Sequence, residues 1–244
     1  MTLCPVRSAL VLGDSLIGSD FDGRGGLGQA INTTLRTQWP AIEIDTYGVA
    51  GSNVGNWLHL AGASGPQIRA GVMARATRNS GLSINPAFLA EQSHDLVWIN
   101  LASNDASILA PDRFADYAIK LMRIFVGAKA IVWTEGNLIP GDSLQRKKDA
   151  LMASLGDKFA SKNIKKSKHF PARSINDGAA YVRHASRRIP MGSKLHPPVS
   201  VHRAWMGAAW PDIRVHISRR CAVRLLGPLA AMAGGAAGWM ILKK

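Results

Sequence analysis

Between Asp95 and Leu101 the chain reads Asp-Leu-Val-Trp-Ile-Asn-Leu. A run of strand length that is apolar at consecutive positions has no polar face to turn to water. It belongs in a parallel sheet covered on both sides. Ser8–Gly13 and Ala130–Thr134 read the same way, as short buried strands. Ile42–Tyr47 instead alternates apolar and polar residues, so it reads as a strand with one wetter face. Helical spacing fills the intervals. It is clearest over Asp112–Phe125, where Phe114, Tyr117, Ala118, Leu121, Met122 and Phe125 share a face. Gly28–Gln38, Pro86–Gln92, Leu144–Ala160 and Val199–Trp210 read as further helices, and another begins at Asn56–Leu60. Residues 61–83 and 161–195 carry no clear pattern, and the chain has no internal repeat. Strands alternating with helices predict a doubly wound α/β fold with a parallel sheet. In such sheets ligands bind at the carboxyl ends of the strands.

A chain of 244 residues, 47% hydrophobic and 19% charged, is long enough for one well-buried α/β domain. That domain is expected to span residues 1–211. Charge is divided unevenly along it. Residues 1–145 hold 10 Lys and Arg against 12 Asp and Glu, while residues 146–244 hold 20 against 4. A basic half of this kind fits an anionic neighbour such as lipid headgroups, nucleic acid or an acidic glycan, or a solvated surface that serves solubility. The seven Trp residues are scattered, without the stacking pattern of a nucleic-acid binder, so no specific nucleic-acid partner is expected. Cys4 and Cys221 stand at opposite ends and form neither a disulfide framework nor a metal spacing. Two lone cysteines fit a reducing compartment. His59, His94, His169, His184, His202 and His216 show no ligand spacing, and no metal or cofactor is expected. The apolar run Ala9–Leu12 is too short for a secretory signal, and no small-residue cleavage site follows it, so no N-terminal signal peptide is expected.

Residues 225–242 are free of charged and strongly polar side chains. At 1.5 Å per residue a helix of that length spans roughly 27 Å, close to the hydrocarbon thickness of a bilayer. Arg219, Arg220 and Arg224 precede it, Lys243 and Lys244 follow it, and Trp239 sits near one end. Pro228 near its start is tolerable in a membrane helix. Ala230, Gly234 and Gly238 form a small-residue stripe suited to helix–helix self-association in lipid. The expected organisation is therefore a basic juxtamembrane segment over 212–224 and a single C-terminal transmembrane helix over 225–242. A buried terminal core helix is the alternative. Lys162, Lys165, Lys166 and Lys168 would meet anionic lipid headgroups near such a membrane, or form a solvated loop.

The first strand runs directly into Gly13-Asp14-Ser15-Leu16. Serine there sits on a strand-to-helix turn, at the end of the sheet where ligands bind. The tetrapeptide alone is weak, because Gly141-Asp142-Ser143-Leu144 repeats it. The second copy follows Pro140 and opens a basic helix, so Asp142 or Ser143 reads as a helix N-cap. Other blocks accompany the first copy: Tyr47-Gly48-Val49-Ala50-Gly51-Ser52-Asn53, Leu101-Ala102-Ser103-Asn104-Asp105 and Lys194-Leu195-His196-Pro197-Pro198. The order Ser, Gly, Asn, His, each at a strand end or loop, resembles the blocks of the SGNH (GDSL) hydrolase family of esterases and lipases. The stretch His94–Asp105 resembles the family's third block and His196–Trp205 its fifth. The resemblance covers about residues 8–210.

That resemblance implies a flavodoxin-like three-layer α/β/α fold and hydrolysis of an ester through an acyl-serine. Ser15 would be the nucleophile and His196 the base. The amides of Ser15 and Gly51 and the side-chain amide of Asn104 would form the oxyanion hole. An acyl or acetyl ester on a lipid or an envelope glycan is the substrate class that membrane tethering would favour.

Two positions depart from the family pattern. Ala102 stands where the family has Gly, and Ser193 stands where it has Asp, three residues before the His. An Asp there would hold the imidazole tautomer and stabilise the imidazolium. Three outcomes follow: a Ser–His dyad with Ser193 as the orienting residue, an acid supplied by Asp177, or an inactive site. The last corresponds to a membrane-anchored structural or binding protein that keeps the fold. A component of a membrane-containing virus particle is one form of it, suggested by a C-terminal anchor without a signal peptide.

Overall fold

The computed structural model describes residues 5–17, 26–49, 51–60, 93–125, 127–134, 143–161, 181–182, 199–200, 202–207 and 209–218. Its elements are β1 (Ser8–Gly13), α1 (Leu27–Gln38), β2 (Glu43–Gly48), α2 (Val54–Leu60), β3 (Leu96–Asn100), a 3₁₀ turn (Asp105–Ser107), α3 (Pro111–Ile124), β4 (Ala130–Thr134), α4 (Ser143–Ser161) and β5 (Tyr181–Val182). Residues 199–200, 202–207 and 209–218 are helical and form α5.

All strand pairs are parallel, and the sheet order is β2-β1-β3-β4-β5. This is the flavodoxin-like order, whose switch point lies between β1 and β3. Along each central strand successive side chains point to opposite faces, and the core divides accordingly. Leu10, Leu12, Val97, Ile99, Ile131 and Trp133 face a cluster completed by α2, α3 and α4. Ala9, Val11, Leu96, Trp98, Ala130 and Val132 face a second cluster, completed by α1 and α5. β3 and β4 are buried at every residue. The result is a three-layer α/β/α sandwich, as the apolar runs require. The edge strand β2 is largely half-exposed, which is why its sequence alternates.

The amino ends of the strands are tied by Asp95. Its carboxylate accepts the Arg7 amide at 2.8 Å and pairs with Lys129 at 2.8 Å. Register is thus set at the end of the sheet opposite the blocks. Trp39 meets Trp210 edge-on at 6.0 Å, joining α1 to α5. The helical residues of α5 run past the expected domain end at 211. Ile213 and Ile217 are fully buried in the second core cluster, so residues 209–218 pack as part of the domain. The short strand β5 lies in a stretch whose composition carries no pattern. The expected helix over 86–92 and the apolar segment 225–242 lie outside the described residues. Among the described residues, no helix is long and apolar enough to cross a membrane.

Candidate functional site

Strand register assembles the site. Gly13 pairs with Gly48 on β2 and with Asn100 on β3, so these three residues form one row at the carboxyl end of the sheet. Ser15, Gly51 and Asn104 lie two, three and four residues beyond that row. The turns after β1 and β3 therefore flank the switch point, and the turn after β2 lies beside them.

The first turn is closed by Asp14. Its Oδ1 accepts the Leu16 amide at 2.9 Å, and its carbonyl accepts the Ile17 amide at 3.1 Å. Ser15 is left half-buried at the tip. Gly13 is required by close approach: a Cβ there would lie 2.4 Å from the Asn100 carbonyl oxygen. The Val49 amide donates to the Gly13 carbonyl at 3.0 Å and binds the second turn to the first.

In the second turn, Gly51 takes φ +74, a left-handed conformation that glycine adopts without a Cβ penalty. Asn53 and Asn56 cap α2 reciprocally, each side-chain oxygen accepting the other's amide at 3.0 Å. Buried Ser52 accepts Trp57 Nε1–H at 3.1 Å through its hydroxyl. The third turn locks onto this one. Asn104 Nδ2–H donates to the Ser52 carbonyl at 2.9 Å, and Asp105 Oδ1 accepts the Val54 amide at 2.8 Å. Gly51 and Asn104 are thus separated by one residue and one hydrogen bond.

Beneath these turns lie three buried charged side chains: Asp14, Asp105 and, from α4, Lys148, which are 1%, 0% and 0% exposed. Burial pushes the Asp14 carboxyl up to about 6, against the pull of the Leu16 amide and the Lys148 ammonium. Burial likewise pushes Asp105 up to about 7; the Val54 amide opposes this and the charge of Asp14 adds to it. None of the three stands out in the sequence as a functional residue. A signal for Lys148 exists: it shares the spacing 148, 151, 152, 155 with buried Leu151, Met152 and Leu155, so a lysine occupies the apolar stripe of its helix.

His196, Ser193 and Asp177 lie outside the described residues. Ser143, in the second copy of the tetrapeptide, is the first helical residue of α4, one past the N-cap position, and Asp142 lies outside the described residues. Among the described residues, three other histidines are buried. His94 Nε2 lies 2.8 Å from Asp45 Oδ2, buried His216 donates to the Ile131 carbonyl at 3.2 Å, and His202 is buried. Among the described residues, no group of three or more His, Cys, Asp or Glu side chains could hold a metal ion.

Neither a scan of protein-family models nor a search of curated proteins finds a match. Solved structures do match. One is TesA, at TM-score 0.52 and 17% identity over 86% of this chain and 99% of that one. Another is a member of the lipolytic protein G-D-S-L family from Veillonella parvula DSM 2008, at TM-score 0.52 and 12% identity over 84% and 97%. A third is LAE5, an α/β hydrolase enzyme from the metagenome of Lake Arreo, Spain, at TM-score 0.51 and 13% identity over 86% and 97%. At these identities the likeness is one of architecture, and it spans nearly the whole of each neighbour. The chain has the α/β fold of the SGNH (GDSL) hydrolases.

Proposed function

We propose that this chain is a serine ester hydrolase with Ser15 as nucleophile and His196 as base. The observation that carries the reading is the row Gly48–Gly13–Asn100, which brings the turns bearing Gly51, Ser15 and Asn104 to the switch point. Three turns interlocked in this way are more than turn chemistry needs.

In the proposed reaction His196 takes the Ser15 hydroxyl proton as Oγ attacks the ester carbonyl. The amides of Ser15 and Gly51 and one N–H of Asn104 hold the oxyanion. The other Asn104 N–H is engaged by the Ser52 carbonyl, which keeps the group aimed. Collapse breaks the bond to the alcohol, which leaves with the proton from His196. Water then enters by the same route and frees the acid and Ser15. Ser193 or Asp177 would orient the imidazole. The substrate class is an acyl or acetyl ester on a lipid or envelope glycan, and no cofactor takes part.

Membrane attachment belongs to the same proposal. Residues 225–242 would form a single-pass C-terminal anchor, with the small-residue stripe available for self-association. The lysines at 162, 165, 166 and 168 would meet anionic headgroups. Flotation with vesicles tests the anchor: the full chain is expected to float and a chain ending after Ser218 to remain below. If both float, the anchor is wrong.

Labelling with a fluorophosphonate tests the chemistry. Wild type and Ser143→Ala are expected to label and Ser15→Ala is not. Retained labelling in Ser15→Ala would sink the mechanism. Ser193 in place of an acid favours a second reading, an inactive structural or binding protein on the same fold. A folded wild type that fails to label would support it, and strong activation by Ser193→Asp would mark the site as a degraded triad.

A further inference from the structure

β3 and β4 are apolar throughout except at their last residues, Asn100 and Thr134. These two stand directly opposite each other at the carboxyl end of the sheet, 1% and 0% exposed. Thr134 Oγ1–H donates to Asn100 Oδ1 at 2.7 Å and accepts Trp98 Nε1–H at 3.0 Å. An indole N–H can only donate, so the single hydroxyl proton of Thr134 is left for Asn100, whose amide turns its oxygen to meet it. Its Nδ2 is then buried without a hydrogen-bond partner. Two apolar side chains could fill this position without that cost, so packing alone does not explain the pair. A second contact grips the same end of β3. Trp133 Nε1–H donates to the Leu101 carbonyl at 2.9 Å, and Phe114 of α3 meets the Trp133 ring edge-on at 5.9 Å, which fixes its direction. The paired register of β3 and β4 ends at Asn100 and Thr134, so Leu101 is the first residue past it. Trp98 and Trp133 lie in different core clusters, so the two contacts come from opposite faces of the sheet.

We propose that Trp133 and Thr134 are positioning residues: gripping Leu101 and Asn100 from the two faces of the sheet, they fix the path on which the chain leaves β3, and so the placement of the Asn104 amide against the Ser15 turn. Asn100 shares its row with Gly13, from which the Ser15 turn departs, and Asn104 lies three residues past Leu101. A rotation of the backbone at 100–101 is therefore carried into the Asn104 side chain while Ser15 stays with β1. The Ser52 carbonyl holds Asn104 at the far end of that path, and the β4 side chains hold its root. Secured at both ends, the amide keeps one aim without reorganising during a reaction.

The kinetic part of the test rests on the hydrolase reading; the structural part does not. In the full chain, Thr134→Val removes the hydroxyl at nearly constant volume, Trp133→Phe removes the indole donor and keeps a ring, and Thr134→Ser keeps the hydroxyl. The side-chain amide signals of Asn104 in nitrogen–proton correlation spectra are expected to shift in Thr134→Val and in Trp133→Phe, and to stay near wild type in Thr134→Ser, while the backbone amides of α1 stay in place in all three. In the first two variants kcat on p-nitrophenyl acetate is expected to fall about ten- to a hundredfold with KM little changed, as misplacement of a catalytic group would do. Thr134→Ser is expected to keep most of kcat. Unmoved Asn104 signals in either Thr134→Val or Trp133→Phe overturn the proposal, and so does a loss in Thr134→Ser equal to that in Thr134→Val. If Thr134→Val does not fold, Trp133→Phe decides on the same readouts. Failure of both to fold overturns the proposal, because the two side chains would then serve the whole domain. If wild type hydrolyses no ester, the hydrolase reading fails and the Asn104 signals still decide the role of Trp133 and Thr134.

Discussion

The side-chain amide of Asn104 donates a 2.9 Å hydrogen bond to the backbone carbonyl of Ser52, across 52 residues of sequence. One contact thereby joins the loop after β3 to the loop after β2 and leaves the amide a second N–H to offer. Asn104→Ala removes both. Ester hydrolysis is expected to fall about 10²–10³-fold in kcat, the usual effect of losing one oxyanion donor. Because Asn104 is only half-buried, the melting temperature is expected to move little. Steady-state kinetics beside thermal unfolding checks this. Unchanged kcat would remove Asn104 from the site.

Gly13 is held by contact rather than by its backbone angles. The methyl of Gly13→Ala would press on the Asn100 carbonyl and on the Ile17 side chain, at 2.4 and 2.7 Å. A backbone oxygen in a central strand has no room to turn away. The expected cost is about 1–3 kcal/mol of stability, the range for overpacking, together with loss of fluorophosphonate labelling. Urea unfolding measures the first. A variant as stable as wild type would show that the two strands separate freely at this row.

The buried carboxyls carry a pH signature. A free aspartate titrates near 3.8, whereas folded Asp14 titrates at about 6 and folded Asp105 at about 7. Between those values the folded chain holds protons that the unfolded chain has released. Their contribution to stability is therefore present below the unfolded value and is lost as pH rises through about 6 to 7. His216 works in the opposite sense: burial lowers its value from 6.5, so its contribution is lost on acidification. Asp105→Asn isolates one contributor, since its amide oxygen can still accept the Val54 N–H. The unfolding free energy of Asp105→Asn is expected to decline less steeply than wild type between about pH 4 and 7, by up to about 1.4 kcal/mol per unit of separation. Denaturant titrations across that range would reveal equal slopes if the assignment is wrong.

The far end of α5 belongs to the core. Ile213→Ala removes a fully buried side chain from the cluster that also holds Trp98 and Val132. A loss of about 2–5 kcal/mol is expected. A chain ending after Pro211 is expected to unfold at lower temperature than one ending after Ser218. Equal melting temperatures would place residues 212–218 outside the domain.

What could be read without coordinates follows from local physics. Consecutive apolar residues in Leu96–Asn100 and Ala130–Thr134 have one stable use, a sheet covered on both faces. The helical spacing that predicts Asp112–Phe125 meets an observed helix at Pro111–Ile124. The blocks that carry Ser15, Gly51 and Asn104 are legible as strand-end turns because each follows a run with strand patterning. Strand β5, at two residues, is too short for any periodicity to announce it.

Pairing across long sequence separations was decided only in three dimensions. The sequence by itself ended β1, β2 and β3 at Gly13, Tyr47 and Leu101, within one residue of Gly13, Gly48 and Asn100; the register that makes the last three one row is a property of the sheet. Asp14, Asp105 and Lys148 look like ordinary surface charges when read singly, because charge in a sequence carries no label of burial. Folding removes all three from water, and burial pushes both carboxyls up from the ordinary aspartate value. The sequence thus determined which turns carry the candidate chemistry, and the tertiary structure decided what holds those turns together.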